Sequence, residues 1–127
     1  VTADAPPLRL ASSHTIGEYL LPGWLSRFKA TAPGVTPELV IVNSHEAVHR
    51  VRTNAADIGF VEGRADDRGL ATLLLDRDEI VAVTVSEHRW SRRRAIPTAL
   101  LTTERYLTRE RGSGIRDIAE SELTLTG

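Results

Sequence analysis

Apolar residues return at helical spacing through Ile16, Leu20, Leu21, Trp24, Leu25 and Phe28, directly after a short apolar run at Leu8, Leu10 and Ala11. The pattern predicts a strand feeding a helix, with Ser12, Ser13, His14 and Thr15 as the turn between them. Small hydroxyl residues at a helix start gather free backbone N–H groups and side-chain donors at one place, where an anion can be held without a full countercharge. Thr15 and Glu18 also have the spacing of a capping box, so Thr15 has a plain capping role open to it beside the ligand one. Pro22 would remove a backbone bond from one continuous helix, which predicts a short first turn and a longer helix opening at Pro22.

The same unit recurs. Residues 35–42 (VTPELVIV) give a second strand whose apolar inner half predicts cover on both faces, as in a parallel sheet. Asn43, Ser44 and His45 follow, then Val48, Val51 and Ala55 at helical spacing, so that Asn43 or Ser44 caps a second helix, contacts a ligand, or does both. Residues 57–63 (DIGFVEG) form a third strand ending in Glu62 and Gly63. Strands alternating with helices through right-handed crossovers bring their polar exits to one sheet edge, where open α/β sheets bind ligands.

Beyond this point the pattern loosens. Two further apolar runs, 70–75 and 80–85, flank the charged stretch 76–79, which lacks turn residues. They predict a long extended passage leaving one sheet for another, with a lobe boundary near Asp78. Residues 88–94 (HRWSRRR) are basic around one tryptophan, which suits a solvated crossover face or nucleic acid. A helix fragment at 96–101 and a short strand at 104–107 precede Gly112, Ser113 and Gly114, which open a last helix carrying Ile118, Ala119 and Leu123. The glycine-flanked serine is open to a capping role and to an anion-binding one.

Composition narrows the function. The 127 residues are 41% hydrophobic and 26% charged, a globular balance with no run long enough to span a bilayer. The net charge of −1 withholds the basic field by which a module grips phosphate backbones alone. Without cysteine there are no disulfides or thiolate metal sites, and with no leader-like segment before Leu8 a cytoplasmic location is expected. Gly112-Ser113-Gly114 lacks the third glycine of a dinucleotide fingerprint, and no serine sits in a hydrolase elbow. His45 and His49 stand at i, i+4 but lack a third metal ligand in pattern. Neither an enzyme nor a metal or cofactor site is expected.

Read together, residues 8–35, 57–63, 78–83 and the TRERGSGIRD segment at 108–117 resemble the effector-binding region of LysR-type transcriptional regulators, over nearly the whole chain from Leu8. The likeness extends to a group that includes regulators of carbon fixation and sulfur metabolism. It departs at Arg111, where proline is usual, and at Ile115, where threonine is usual.

The resemblance implies an α/β protein of two Rossmann-like lobes joined by crossing strands, similar to type 2 periplasmic binding proteins. A tail at 1–7 would lead into a first lobe at 8–78 lacking its return segment, followed by a crossover and a truncated second lobe at 79–127. It further implies a small, anionic effector in the interlobe cleft, held by Ser12, Ser13, His14, Thr15, Asn43, Ser44, Glu62 and Gly63 from the first lobe. Arg109, Gly112, Ser113 and Gly114 would contribute from the second. Effector binding would modulate DNA binding by a winged helix-turn-helix that is not among these residues. A homo-oligomer is expected, with the helix bearing Val48, Val51 and Ala55 as a pairing surface. A transporter's solute-binding protein shares the architecture and is the alternative.

Overall fold

The computed structural model describes residues 5–125, so residues 1–4 of the expected tail and the last two of the chain lie outside the described residues. Its centre is β1 (Leu8–Ser12), the middle strand of a parallel sheet in the order β2-β1-β3, with β2 at Pro37–Ile41 and β3 at Ile58–Phe60. Leu10 lies beside Leu39 and Ile58, and Ala11 beside Val40 and Gly59, so the strands share two sorted faces. Arg9 and Asp57 fix the lower end of the β1–β3 pair, with N–H to carboxylate and guanidinium to carboxylate contacts at 2.8 and 2.9 Å.

One face receives α2 (Ser44–Arg52). Ala11, Ala47 and Ala56 are buried together there, with Val40, Val42, Val51 and Val61 around them. Small residues set the distance: a Cβ on Gly59 would come 3.0 Å from Val51 and 3.3 Å from the Ala47 carbonyl. Ala47 and Val51 of α2 therefore face the sheet, Val48 is half-buried outside that cluster, and Ala55 lies past the helix end. Asn43 caps α2 from an extended backbone, its Oδ1 accepting the Glu46 N–H at 3.0 Å.

The other face meets the first helical segment. A π-helical turn, Ile16–Leu20, gives way to α1 (Leu21–Thr31), which carries Pro22 in its first turn, as the proline predicts. Leu10 and Leu21 are buried, and the Trp24 ring stands 6.0 Å from that of Phe60. The expectation that Thr15 caps this helix is not met. Thr15 is itself helical and makes no side-chain cap bond, because the first turn closes earlier, from the Gly17 N–H to the Ser13 carbonyl. Cover is also incomplete on this face: Leu39, Ile41 and Ile58 are all exposed, so β2 is an edge strand and not the doubly covered one its run of apolar residues suggests.

Residues 70–75, 80–85 and 104–107 form no strands among the described residues. They have β-forming composition, but a strand exists only by pairing, and no described segment pairs with them. Residues 88–94 are not simply a solvated face. Trp90 is buried against the His88 ring at 4.9 Å, with the Arg89 guanidinium 5.5 Å from its centre, and Glu104 pairs with Arg89. A short α3 (Thr98–Leu101) and the longer α4 (Gly114–Leu125) follow, and Ile118 of α4 lies over Gly63, returning the chain to the strand exits.

Candidate functional site

Polar residues follow each strand of the sheet within two positions of its end, Ser13 after β1, Asn43 after β2 and Glu62 after β3, and the start of α4 lies against them. Ser13, His14, Asn43, Ser44 and Glu62 from the sheet edge line one small cavity, and Arg109, Ser113 and Gly114 close it from the other side. Its volume is about 10 Å³, the scale of a single water, so the two sides are pressed together. A larger groove of about 400 Å³ runs between α1 and the start of β2, but Lys29 is its sole charged residue and no set of donors converges there. The small polar cavity is the better candidate.

Two helix starts meet at this cavity. Asn43 and Ser44 begin α2, and Ser113 begins α4, its Oγ accepting the Arg116 N–H at 3.4 Å. Backbone carbonyls before α4 receive donors from the start of α2. The His45 N–H donates to the Gly112 carbonyl at 3.1 Å, and Asn43 Nδ2 donates to the Arg111 carbonyl at 3.4 Å. Gly112 has φ of 94°, and a Cβ there would come 2.8 Å from Asn43 Nδ2. A Cβ on Gly114 would collide with the Glu62 carbonyl, so this glycine is required by close approach.

The charges are arranged unevenly. Ser13 Oγ donates to Glu62 Oε1 at 3.0 Å, and the Glu62 N–H donates to Ser44 Oγ at 3.2 Å, so Glu62 is held at both its backbone and its carboxylate. Arg109 grips its neighbour Glu110 at 2.8 Å, and this hydrogen bonding holds the Glu110 carboxyl below its usual range. A like charge 4 Å from Glu62 would be repelled by about 4 kcal/mol at an effective dielectric near 20, while a helix N-terminus returns at most about 2 kcal/mol. These magnitudes favour the helix-start side of the cavity over the Glu62 side for any negative group brought there.

Eight of the twelve sequence-predicted residues thus share one lining, and four support it. The Ser12 hydroxyl is fully buried and turned to the Ser13 carbonyl, and Thr15 sits within the first helical turn. Gly63 and Gly112 occupy left-handed backbone beneath Ile118 and beside Asn43. Sequence reasoning missed His45 and Asp117, joined at 2.7 Å between α2 and α4, and Arg116, which donates to the Arg109 carbonyl at 3.0 Å. Asp117 and Arg116 stand in the first turn of the helix that Gly114 opens, and that position was the available signal. Among the described residues no cluster of three or more His, Asp or Glu could hold a metal, and no helix is long and apolar enough to cross a membrane.

Residues 3–127 match the LysR substrate binding domain family. The chain belongs to that family. It is 37% identical over 116 residues to an uncharacterised HTH-type transcriptional regulator of Mycobacterium tuberculosis, covering 87% of this chain and 37% of the relative. It is 34% identical over 120 residues to the HTH-type transcriptional regulator CysL of Bacillus subtilis, covering 94% of this chain and 40% of CysL. The crystal structure of the reduced form of OxyR is similar in fold, with a TM-score of 0.62 at 22% identity, covering 89% of this chain and 55% of that one. The LysR substrate binding domain described here thus spans about two fifths of the curated regulators it matches. A ligand-sensing regulatory domain is the role that membership gives, and the transporter alternative is not favoured.

Proposed function

We propose that this LysR substrate binding domain senses a small anionic effector in the cavity between the strand exits and α4, and through it modulates DNA binding by a helix-turn-helix domain of the same regulator. The observation that carries the reading is the meeting of two helix starts at one lined cavity. Because that cavity has room for about one water, an effector enters only by moving the 109–114 loop from the sheet edge. Binding and rearrangement are then one equilibrium, which is what a sensor needs. A division into lobes at 8–78 and 79–127, a second copy as partner and a cytoplasmic setting go with this reading. The exposed Leu39, Ile41 and Ile58 offer apolar area for a second copy, beside the half-buried Val48 of α2.

Asn43→Asp tests the site. The change is nearly isosteric and keeps the oxygen that caps α2, gives up the long Nδ2 bond to the Arg111 carbonyl, and brings a negative charge into the cavity. Calorimetric titration with sulfate, phosphate and small carboxylic and amino acids is expected to find a binder whose affinity falls at least about tenfold in this variant. Equal affinity in both proteins refutes the site.

A further inference from the structure

We propose, resting on that reading, that the effector is a small zwitterion with the charge pattern of an α-amino acid, and that Glu62 recognises its ammonium group. The cavity has two unlike sides. The donors at the start of α2, the His45 N–H and Asn43 Nδ2, are held by the Gly112 and Arg111 carbonyls and are released when the 109–114 loop moves, whereas the Glu62 carboxylate lines the cavity from the end of the third strand unit.

Among the described residues Glu62 has no ion-pair partner, since the one guanidinium lining the cavity, that of Arg109, is taken by Glu110. The Ser13 hydroxyl supplies one hydrogen bond to a carboxylate able to accept about four. That bond also commits the Ser13 proton, leaving its oxygen able only to accept from a ligand. The Ser13–Glu62 pair is therefore an acceptor-rich, negative surface. It cannot swing away freely, because the Glu62 N–H is fixed to Ser44 at the start of α2.

A simple oxyanion satisfies the helix starts and is opposed by Glu62. A molecule with a carboxylate and an ammonium one carbon apart satisfies both sides at once. Glu62 thereby selects against bare anions as well as for amines, the repulsive and attractive halves of one specificity.

The test is a matched titration of the chain with L-alanine, L-serine and L-aspartate against propanoate, 3-hydroxypropanoate and succinate, together with sulfate and phosphate. At least one amino acid is expected to bind about tenfold or more tightly than its partner lacking the amine. Glu62→Gln, which keeps the Ser13 contact, is expected to bring that preference below about threefold without weakening the simple anions. An acid or inorganic anion binding as tightly as the amino acids, with its binding still sensitive to Asn43→Asp, overturns this assignment and leaves the anion site standing. A preference that survives Glu62→Gln overturns it as well. Absence of binding by every probe overturns both readings.

Discussion

Gly114 lies so close to Glu62 that a methyl group on the one would collide with the backbone carbonyl of the other. The same methyl would come 2.8 Å from Ser44 Oγ, so the start of α4 is fitted against a strand exit and a helix cap together. Neither neighbour is the far end of a flexible chain. Gly114→Ala is expected to lower the domain's stability by about 1–3 kcal/mol, the range of overpacking, and to weaken anion binding at least about tenfold. Gly23→Ala, in α1 with no atom within 4 Å of the added methyl, is expected to be neutral or slightly stabilising. Thermal melts and titrations of the two variants check this, and equal behaviour would mean that α4 does not sit on Glu62 in solution.

Arg9 and Asp57 give the fold a defined acid sensitivity. Hydrogen bonds from Arg9 hold the Asp57 carboxyl below its ordinary value. A depressed carboxyl contributes stability above the unfolded value near 4, and that contribution is lost as pH falls through the folded value. The melting-temperature gap between wild type and Asp57→Asn is expected to be widest at neutral pH and to close below about pH 4. Both side chains are partly exposed, so added salt is expected to narrow the gap. A gap constant over the acid range would show that the ion pair does not hold the β1–β3 end.

The three-stranded sheet and its helices were legible because their signals are local. Val40 and Ile41 run straight into Asn43, whose cap is written within three residues, and Pro22 announces the break in the first helix. What was not legible is long-range. The Ser13 hydroxyl belongs to Glu62, 49 residues away, and His45 to Asp117, 72 residues away, and no spacing rule reaches that far. Thr15 misled for a related reason: its capping-box partner is in place, but the Gly17–Ser13 bond starts the helix earlier. Leu73, Val81 and Val83 read as strand residues because propensity is local, whereas strand formation waits on a partner, and here they are exposed.

The chain by itself is expected to lack sequence-selective DNA affinity. Its net charge is −1, and Arg89 of its basic stretch is committed to Glu104 and the Trp90 ring. Fluorescence anisotropy with labelled duplexes, at about 50 and 200 mM salt, should show at most weak binding that disappears at the higher value. Tight, selective binding would move DNA recognition into these residues and sink the proposed division of labour.

The contact between His45 and Asp117 has a different weight from that of Gly114. It is short, at 2.7 Å, and it ties the first turn of α2 to the first turn of α4, so it has the look of a latch. Yet the two side chains are 58% and 43% exposed, and pairs in that setting contribute at most about 1 kcal/mol, less in salt. Where the same elements meet by backbone, His45 N–H to the Gly112 carbonyl and Gly114 against Glu62, the alternatives are a broken hydrogen bond or a clash. The close fit should therefore survive loss of the His45–Asp117 contact. A double-mutant cycle of His45→Ala and Asp117→Ala is expected to give a coupling below about 1 kcal/mol, and each variant to change anion affinity less than about fivefold. Coupling well above that, or an affinity loss matching that of Gly114→Ala, would make the His45–Asp117 contact the element that holds the cavity shut.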